Sequence, residues 1–156
     1  MRISARKLTR GAVIGALYAA LTLLLAPISF SGAGQIRLSE ALCVLPFFTP
    51  DAIAGLAVGC LLSNLIAGCG IWDVVIGTAA TALAALWTAR IKKTALVPFP
   101  TVLCNTFLVG PMLHFVSALP LWMTCLSVFI GEAAALYGLG LPLVILLKKR
   151  GEGLFR

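Results

Sequence analysis

Residues 72–93 read WDVVIGTAATALAALWTARIKK, an apolar run that ends in a cluster of cations. The run carries Asp73 as its single charge before that cluster, and its length is close to the ~20 apolar residues that cross a bilayer as a helix. By the positive-inside rule, a cluster such as Arg90, Lys92 and Lys93 stays on the cytoplasmic side of the membrane. The stretch therefore predicts a transmembrane helix whose carboxyl end faces the cytoplasm.

Apolar segments of the same kind, each ended by proline, glycine or charge, continue on both sides of this stretch. The chain is 61% hydrophobic and 11% charged, whereas a soluble domain of this length carries about twice that charged fraction. We therefore expect an all-α membrane protein with six transmembrane helices, in which residues 1–156 form a single integral-membrane domain. The predicted segments run from about Gly11 to Ala26, Leu38 to Phe48, Ala52 to Ala67, Trp72 to Ala89, Leu96 to Phe115 and Pro120 to Leu147.

The positions of the cations predict the orientation. Apart from Arg37, every Lys and Arg lies in the basic N-terminus 1–10, in the 90–93 cluster or in the tail 148–156. Six spans put both termini on one side, which the charge rule makes the cytoplasm. The net charge of +7 does not indicate nucleic acid, because the cations flank apolar spans and form no stripe beside exposed aromatic residues. We expect them to contact anionic lipid headgroups of the cell membrane.

The sequence lacks the common catalytic and metal-binding patterns. It has no Gly-Lys pair and hence no phosphate loop. It also has a single histidine, no cysteine pair at metal-ligand spacing and no Gly-x-Ser-x-Gly turn. We therefore expect no enzyme activity, no ATP hydrolysis, no metal and no cofactor in this chain.

A few polar residues inside the apolar segments are candidates for ligand contacts. Glu132 lies deep in the sixth segment, where a carboxylate costs at least ~2.5 kcal/mol unless it faces water, a ligand or a partner such as Arg37 or Asn105. Arg37 and Glu40 are three residues apart, so they either neutralise each other or border a ligand cavity together. Asp73 either caps the fourth helix or meets a ligand. The candidate ligand-binding residues are Arg37, Glu40, Asn64, Asp73, Asn105 and Glu132.

The first segment carries small residues at a spacing of four. One row is Ala12, Ala16 and Ala20, and a second is Gly11, Gly15 and Ala19. Small side chains let another helix approach closely. This smooth face packs either inside the bundle or on a separate membrane protein.

Several short runs combine polar residues with a fixed apolar context. They are QIRLSEAL at 35–42, VLPFF at 44–48, GCLLSN at 59–64, DVVIG at 73–77, His114, LPL at 119–121, Gly131-Glu132 and LGLPL at 139–143. Together they resemble the QueT family over nearly the whole chain, from about Leu17 to Lys148.

The resemblance implies the substrate-binding S component of an energy-coupling-factor (ECF) transporter, with the six-helix bundle of that class. It implies uptake of a queuosine precursor, a 7-deazaguanine such as preQ1 or preQ0. The implied partners are a membrane T component, which S components contact through an Ala-x-x-x-Ala motif, and two cytoplasmic ATPases. Ala12, Ala16 and Ala20 match that spacing. An S component for another vitamin-like molecule, or a small self-sufficient transporter acting as an oligomer, remains the alternative.

A flat heterocycle of this kind needs hydrogen-bonding groups and a stacking surface. A carboxylate can accept two adjacent N–H groups of the base as a bidentate pair. We expect the loop Ser29–Gln35 to act as a lid that excludes water. The residues predicted to stack on the base or to line this lid are Phe30, Trp72, His114 and Phe115.

Overall fold

The computed structural model describes residues 4–29 and 37–150, and within these ranges the chain is helical and has no β-strand. This confirms the predicted all-α class. Each predicted segment is one helix, and the largest difference is that the first helix begins at Ala5 instead of Gly11, because Arg and Lys are good helix formers. The helices are α1 (Ala5–Leu24), α2 (Leu38–Phe47), α3 (Asp51–Ile66), α4 (Asp73–Thr88), α5 (Thr94–Ser117) and α6 (Leu121–Arg150), and one further turn, Ala26–Ser29, follows α1.

The helices differ in length. In the described part of the chain, α1, α5 and α6 are long and apolar enough to cross a membrane, and α2, α3 and α4 are shorter apolar helices. Short helices can complete a membrane bundle when longer neighbours surround them. The count of six spans and the cytoplasmic position of both termini stay predictions.

Helix α1 packs closely on α3 through glycines. A Cβ atom at Gly15 would lie 2.6 Å from the carbonyl oxygen of Gly55, and one at Gly59 would lie 2.6 Å from that of Gly15. Such distances leave no room for a side chain, so the two backbones are in direct contact. The Gly11/Gly15 row therefore packs inside the bundle.

The other small-residue row of α1 faces outward. Ala12, Ala16 and Ala20 are all exposed, and so are Val13 and Leu17 beside them. The glycine row therefore packs on α3 inside the bundle, whereas the alanine row lies on the outer surface of the bundle. Contact between the outer row and a partner protein stays a prediction.

Helix α2 lies in the middle of the bundle and is wound as a 3-10 helix over its ten residues. It contacts α1, α3, α4 and α6, and Val44 shares a core cluster with Val97 and Val102 of α5; most of its side chains are buried. A 3-10 helix rises about 2.0 Å per residue, so α2 spans about 20 Å where an α-helix of that length would span about 15 Å. This winding carries the chain from Arg37, at one end of the bundle, to Phe47 at the other.

The basic segments meet at one end of the bundle. Lys148 Nζ donates a hydrogen bond to Thr94 Oγ1 (2.5 Å) and lies 5.1 Å from the centre of the Phe47 ring. Arg10 forms an ion pair with Asp51 (3.6 Å). The end of α2, the end of α6 and the starts of α1, α3 and α5 are therefore together, as expected if all of these cations face one side of the membrane.

Candidate functional site

A small cavity lies between α5, α6 and the start of α2. It has a volume of about 10 Å³ and is lined by Arg37, Asn105, Val109, Val128 and Glu132. Helical spacing explains the set, because Asn105 and Val109 are four residues apart on α5, and Val128 and Glu132 are four apart on α6. The structure thus brings three of the predicted ligand-binding residues to one cavity.

Close packing of α5 on α6 fixes this arrangement. A Cβ atom at Gly110 would lie 2.8 Å from Cys125 Sγ, so the two helices approach to near contact at this level. The cavity is lined further along both helices, five residues before Gly110 on α5 and seven residues after Cys125 on α6. Asn105 and Glu132 occupy these positions.

Glu132 lines the cavity and has unused hydrogen-bonding capacity. Its side chain is buried, with 4% of the residue exposed, and within the described ranges Oε2 accepts no hydrogen bond. Arg37 and Glu40 lie within electrostatic range of it, and Asn105 lies beside it. A buried carboxylate oxygen without a donor is costly, so this atom is suited to receive an N–H group from a ligand.

Arg37 links the cavity to α4. Its guanidinium forms an ion pair with Asp73, with Nη2 3.5 Å from Oδ1. Asn64 supports the same region from α3, because its Nδ2 donates to the backbone oxygen of Asp73 (3.0 Å). Gly77 allows this approach, since a Cβ there would lie 3.2 Å from Asn64 Nδ2 and 3.5 Å from Arg37 Nη1.

Asp73 itself lies in a widened π-helical turn, Asp73–Gly77, at the start of α4. The predicted alternative was a helix cap, but no side-chain hydrogen bond caps this helix. The Asp73 carboxylate instead faces Arg37. Widened turns of this kind are frequent at functional sites because they redirect side chains.

Glu40 has a different environment. It accepts hydrogen bonds from Tyr18 Oη (2.5 Å) and Cys43 Sγ (2.9 Å), and from Thr81 Oγ1 at 3.4 Å. A second contact between α1 and α2 is the hydrogen bond that Thr22 Oγ1 donates to Ser39 Oγ (2.7 Å). These bonds join α1, α2 and α4, and both carboxylate oxygens of Glu40 take part in them.

The predicted stacking residues lie away from the cavity or outside the described ranges. Trp72 and Phe115 are 59% and 83% exposed and do not line the cavity. His114 Nδ1 lies 2.5 Å from the carbonyl oxygen of Leu119, beside the left-handed residue that ends α5. Phe30 and most of the predicted lid fall outside the described residues. The apolar walls are Val109 and Val128, which the sequence analysis did not single out although each stands four residues from a polar candidate.

Comparison with known proteins gives one match. The family model described as the QueT transporter matches residues 8–149 of this chain, nearly its whole length. No curated protein and no solved structure matches it. The match covers every residue of the cavity, most of α1, all of α2 to α5 and nearly all of α6. The chain therefore belongs to the QueT transporter family.

Proposed function

We propose that this chain is the substrate-binding S component of an ECF importer and that it binds a queuosine precursor, a 7-deazaguanine such as preQ1 or preQ0. Membership of a transporter family supports a membrane protein with a small-molecule substrate. The observation that carries the proposal is the buried Glu132 carboxylate, which lines a cavity with Arg37 and Asn105 and, among the described residues, has an oxygen without a donor.

The hydrogen-bonding edge of a 7-deazaguanine suits this set of groups. Its 2-amino group and ring N–H are adjacent donors, and a carboxylate accepts such a pair in a bidentate, charge-assisted arrangement. Glu132 is the proposed acceptor. The adjacent carbonyl oxygen of the base needs a donor, and Arg37 or Asn105 can supply one from the same cavity.

The side arm of preQ1 carries an ammonium group, which a second carboxylate would stabilise. Asp73 is the proposed partner, because its ion pair with Arg37 places it near the cavity. Its Oδ1 receives no hydrogen bond from the described residues. Glu40 is less suited, since both of its oxygens already accept hydrogen bonds. A substrate with an uncharged arm, such as preQ0, would leave the Arg37–Asp73 ion pair undisturbed.

Binding requires the cavity to widen. A volume of about 10 Å³ holds about one water molecule, whereas pockets for small ligands measure roughly 300 Å³ or more. The valine walls must move apart, and we expect α6 to move relative to α5 when substrate enters. The predicted lid Ser29–Gln35 would then close over the base and exclude water, which strengthens each polar contact.

Transport would depend on partner proteins. The exposed row Ala12, Ala16 and Ala20 offers a smooth surface for the membrane T component, because no large side chain of that row holds a partner helix away. ATP hydrolysis would take place in two separate cytoplasmic ATPases. In this proposal the chain itself is a binding protein without catalytic residues or cofactor.

Mass spectrometry of the small molecules that co-purify with the overexpressed protein tests the substrate class. We expect a 7-deazaguanine, released on denaturation in an amount that approaches one molecule per chain. A different vitamin-like compound would contradict the substrate but keep the binding role. Substrate accumulation against a gradient by vesicles that contain this chain alone would contradict the S-component role.

A further inference from the structure

A widened turn divides α6 into two parts. Residues Leu136–Gly140 are wound as a π-helix, and the backbone N–H of Leu141 donates to the carbonyl oxygen of Leu136, five residues back. Pro142 follows the turn, and since its nitrogen carries no hydrogen, the carbonyl of Gly138 receives no α-helical bond from it. Helices bend at prolines and at widened turns. The turn is therefore the place where the two parts of α6 can change their angle.

The last part of α6, Leu141–Arg150, is held against the rest of the bundle. Gly140 begins this attachment, because a Cβ atom there would lie 3.0 Å from Val44 Cγ1 of α2. Val144 is fully buried in a core cluster with residues of α2 and α5. Lys148 donates a hydrogen bond to the start of α5. Movement of this part would disturb the core.

The first part of α6, Leu121–Ala135, packs mainly on α5 and carries one wall of the cavity. Val128 and Glu132 belong to that wall. The close approach of Gly110 to Cys125 lies on the other side of the cavity from the widened turn, since Cys125 precedes both wall residues. It is a van der Waals contact, and such contacts are individually weak. The first part can therefore separate from α5 at this end.

The widened turn has room to bend. Tyr137, Gly138 and Leu139 are exposed, and a Cβ atom at Gly138 would meet no described atom within 4 Å. At 1.5 Å per residue, Glu132 lies about 9 Å from Gly138 along the helix and Cys125 about 20 Å. A bend of about 15° at the turn would then shift Glu132 by about 2 Å and Cys125 by about 5 Å. The opening is widest at the Cys125 end.

We propose that Leu136–Gly140 is a hinge about which the first part of α6 moves away from α5, and that the contact between Gly110 and Cys125 closes the cavity again. The hinge rests on the proposed binding role and adds the route of the ligand, which passes between α5 and α6 to Glu132. A cavity of about 10 Å³ admits no small ligand until its walls separate. The firm attachment of the last part of α6 leaves the first part as the wall that moves.

A disulfide across the closing contact tests the hinge. In Gly110→Cys the new Cβ atom would lie 3.4 Å from Cys125 Cβ, close to the spacing of roughly 3.5–4.5 Å in disulfides. Oxidation of the full-length variant by copper–phenanthroline before ligand is added should slow association of a radiolabelled 7-deazaguanine by roughly tenfold or more, because the gate cannot open. Oxidation with ligand bound should slow release to a similar extent. Dithiothreitol should reverse both effects.

The matched control is Gly110→Ser, which adds a side chain of similar size and cannot form the disulfide. Oxidant should leave its rates unchanged, and the same treatment of the parent accounts for the native cysteines. Mass spectrometry of peptides verifies the bond to Cys125. Unchanged association and release in the variant with a verified disulfide would overturn the hinge.

A thiol on the cavity wall tests the movement without any ligand. Val128 is 2% exposed, so Val128→Cys should react with a small methanethiosulfonate reagent, above the background of the native cysteines, only when the cavity opens. Adding Gly138→Ala should slow this reaction several-fold, because alanine stiffens a helix relative to glycine. Leu139→Ala, an exposed change in the same turn, is the control. Equal slowing by both changes, or by neither, would overturn the hinge. Slowing by Gly138→Ala alone in a protein that binds no 7-deazaguanine would support the hinge and contradict the proposed ligand.

Discussion

Glu40 and Glu132 are two buried carboxylates in the same bundle, with 1% and 4% of the residue exposed. Glu40 accepts hydrogen bonds from three side chains, whereas Glu132 has an oxygen that accepts none from the described part of the chain. Burial alone therefore does not distinguish an acid whose two oxygens are hydrogen-bonded from one with an unused oxygen. The distinction lies in whether neighbouring side chains already use its oxygens.

The positions of the two acids explain this difference. Glu40 lies on the central α2, where α1 and α4 each bring a hydroxyl group to it, from Tyr18 and Thr81. Glu132 lies on α6 opposite α5, where Val109 and Val128 form part of the cavity wall and donate no hydrogen bonds. The same residue type thus stabilises the fold in one place and remains available for a ligand in the other.

The largest effect is expected for Glu132→Gln. The amide nitrogen would face the donor edge of the base, so we expect affinity for a 7-deazaguanine to fall by roughly 100-fold or more, as for loss of a buried charge-assisted contact. The melting temperature should stay the same or rise, because a neutral amide is less costly to bury than a carboxylate. Radiolabelled binding and thermal melting in the same detergent measure both effects. Parent-like binding would show that the site lies elsewhere.

Glu40→Gln should show the opposite behaviour. Loss of the charged acceptor for Tyr18 and Cys43 should lower the free energy of unfolding by about 1–3 kcal/mol. Binding by the folded fraction should change by less than about tenfold, because Glu40 does not line the cavity. Thermal melting measures the loss of stability, and a binding isotherm of the same preparation measures the change in affinity. Unchanged stability with lost binding would reverse the roles of the two acids.

Tyr18→Phe removes one donor from the same network and keeps the ring. We expect destabilisation of about 1 kcal/mol, the usual net contribution of one hydrogen bond, and no change in affinity. Its double variant with Glu40→Gln should be less destabilised than the sum of the single changes, since both act on one interaction. Additive effects in the melting curves would contradict a shared network.

Ala16→Leu should have the smallest effect on ligand binding and on stability. Ala16 is exposed on the outer face of α1, so binding and melting should remain at the parent value within about 0.5 kcal/mol. Uptake by cells that contain the ATPases and the T component should nevertheless fall, because the larger side chain separates the helices. Val13→Leu on the same helix is the matched control. Lost binding with normal uptake would contradict the proposed partner surface.

The sequence predicted the helices well because their ends are locally encoded. Gly68, with a φ of 67°, follows the end of α3, and Pro120 precedes α6; glycine readily adopts a positive φ after a helix, and proline is well suited to the start of one. The position of Glu132 deep in an apolar segment could also be predicted from the sequence. The 3-10 winding of α2 was not, since it depends on packing against the surrounding helices.

The site was predictable only in part, because its partners are set by tertiary contacts. Tyr18 stands 22 residues before Glu40, and no local pattern joins them, so the hydrogen bond between them could not be predicted from the sequence. The exposed positions of Trp72 and Phe115 likewise depend on which helix face packs inward. Val109 and Val128 could have been found by stepping four residues from Asn105 and Glu132.

The most direct test of the Glu132 contact is a titration of the parent and of Glu132→Gln with two ligands, a 7-deazaguanine and its analogue without the 2-amino group. If Glu132 accepts the N–H of that group, removing it should weaken binding to the parent by roughly 10- to 100-fold, as for a hydrogen bond to a charged acceptor. The variant should bind both ligands nearly equally. The same loss in both proteins would show that another residue contacts the 2-amino group and would contradict the proposed site.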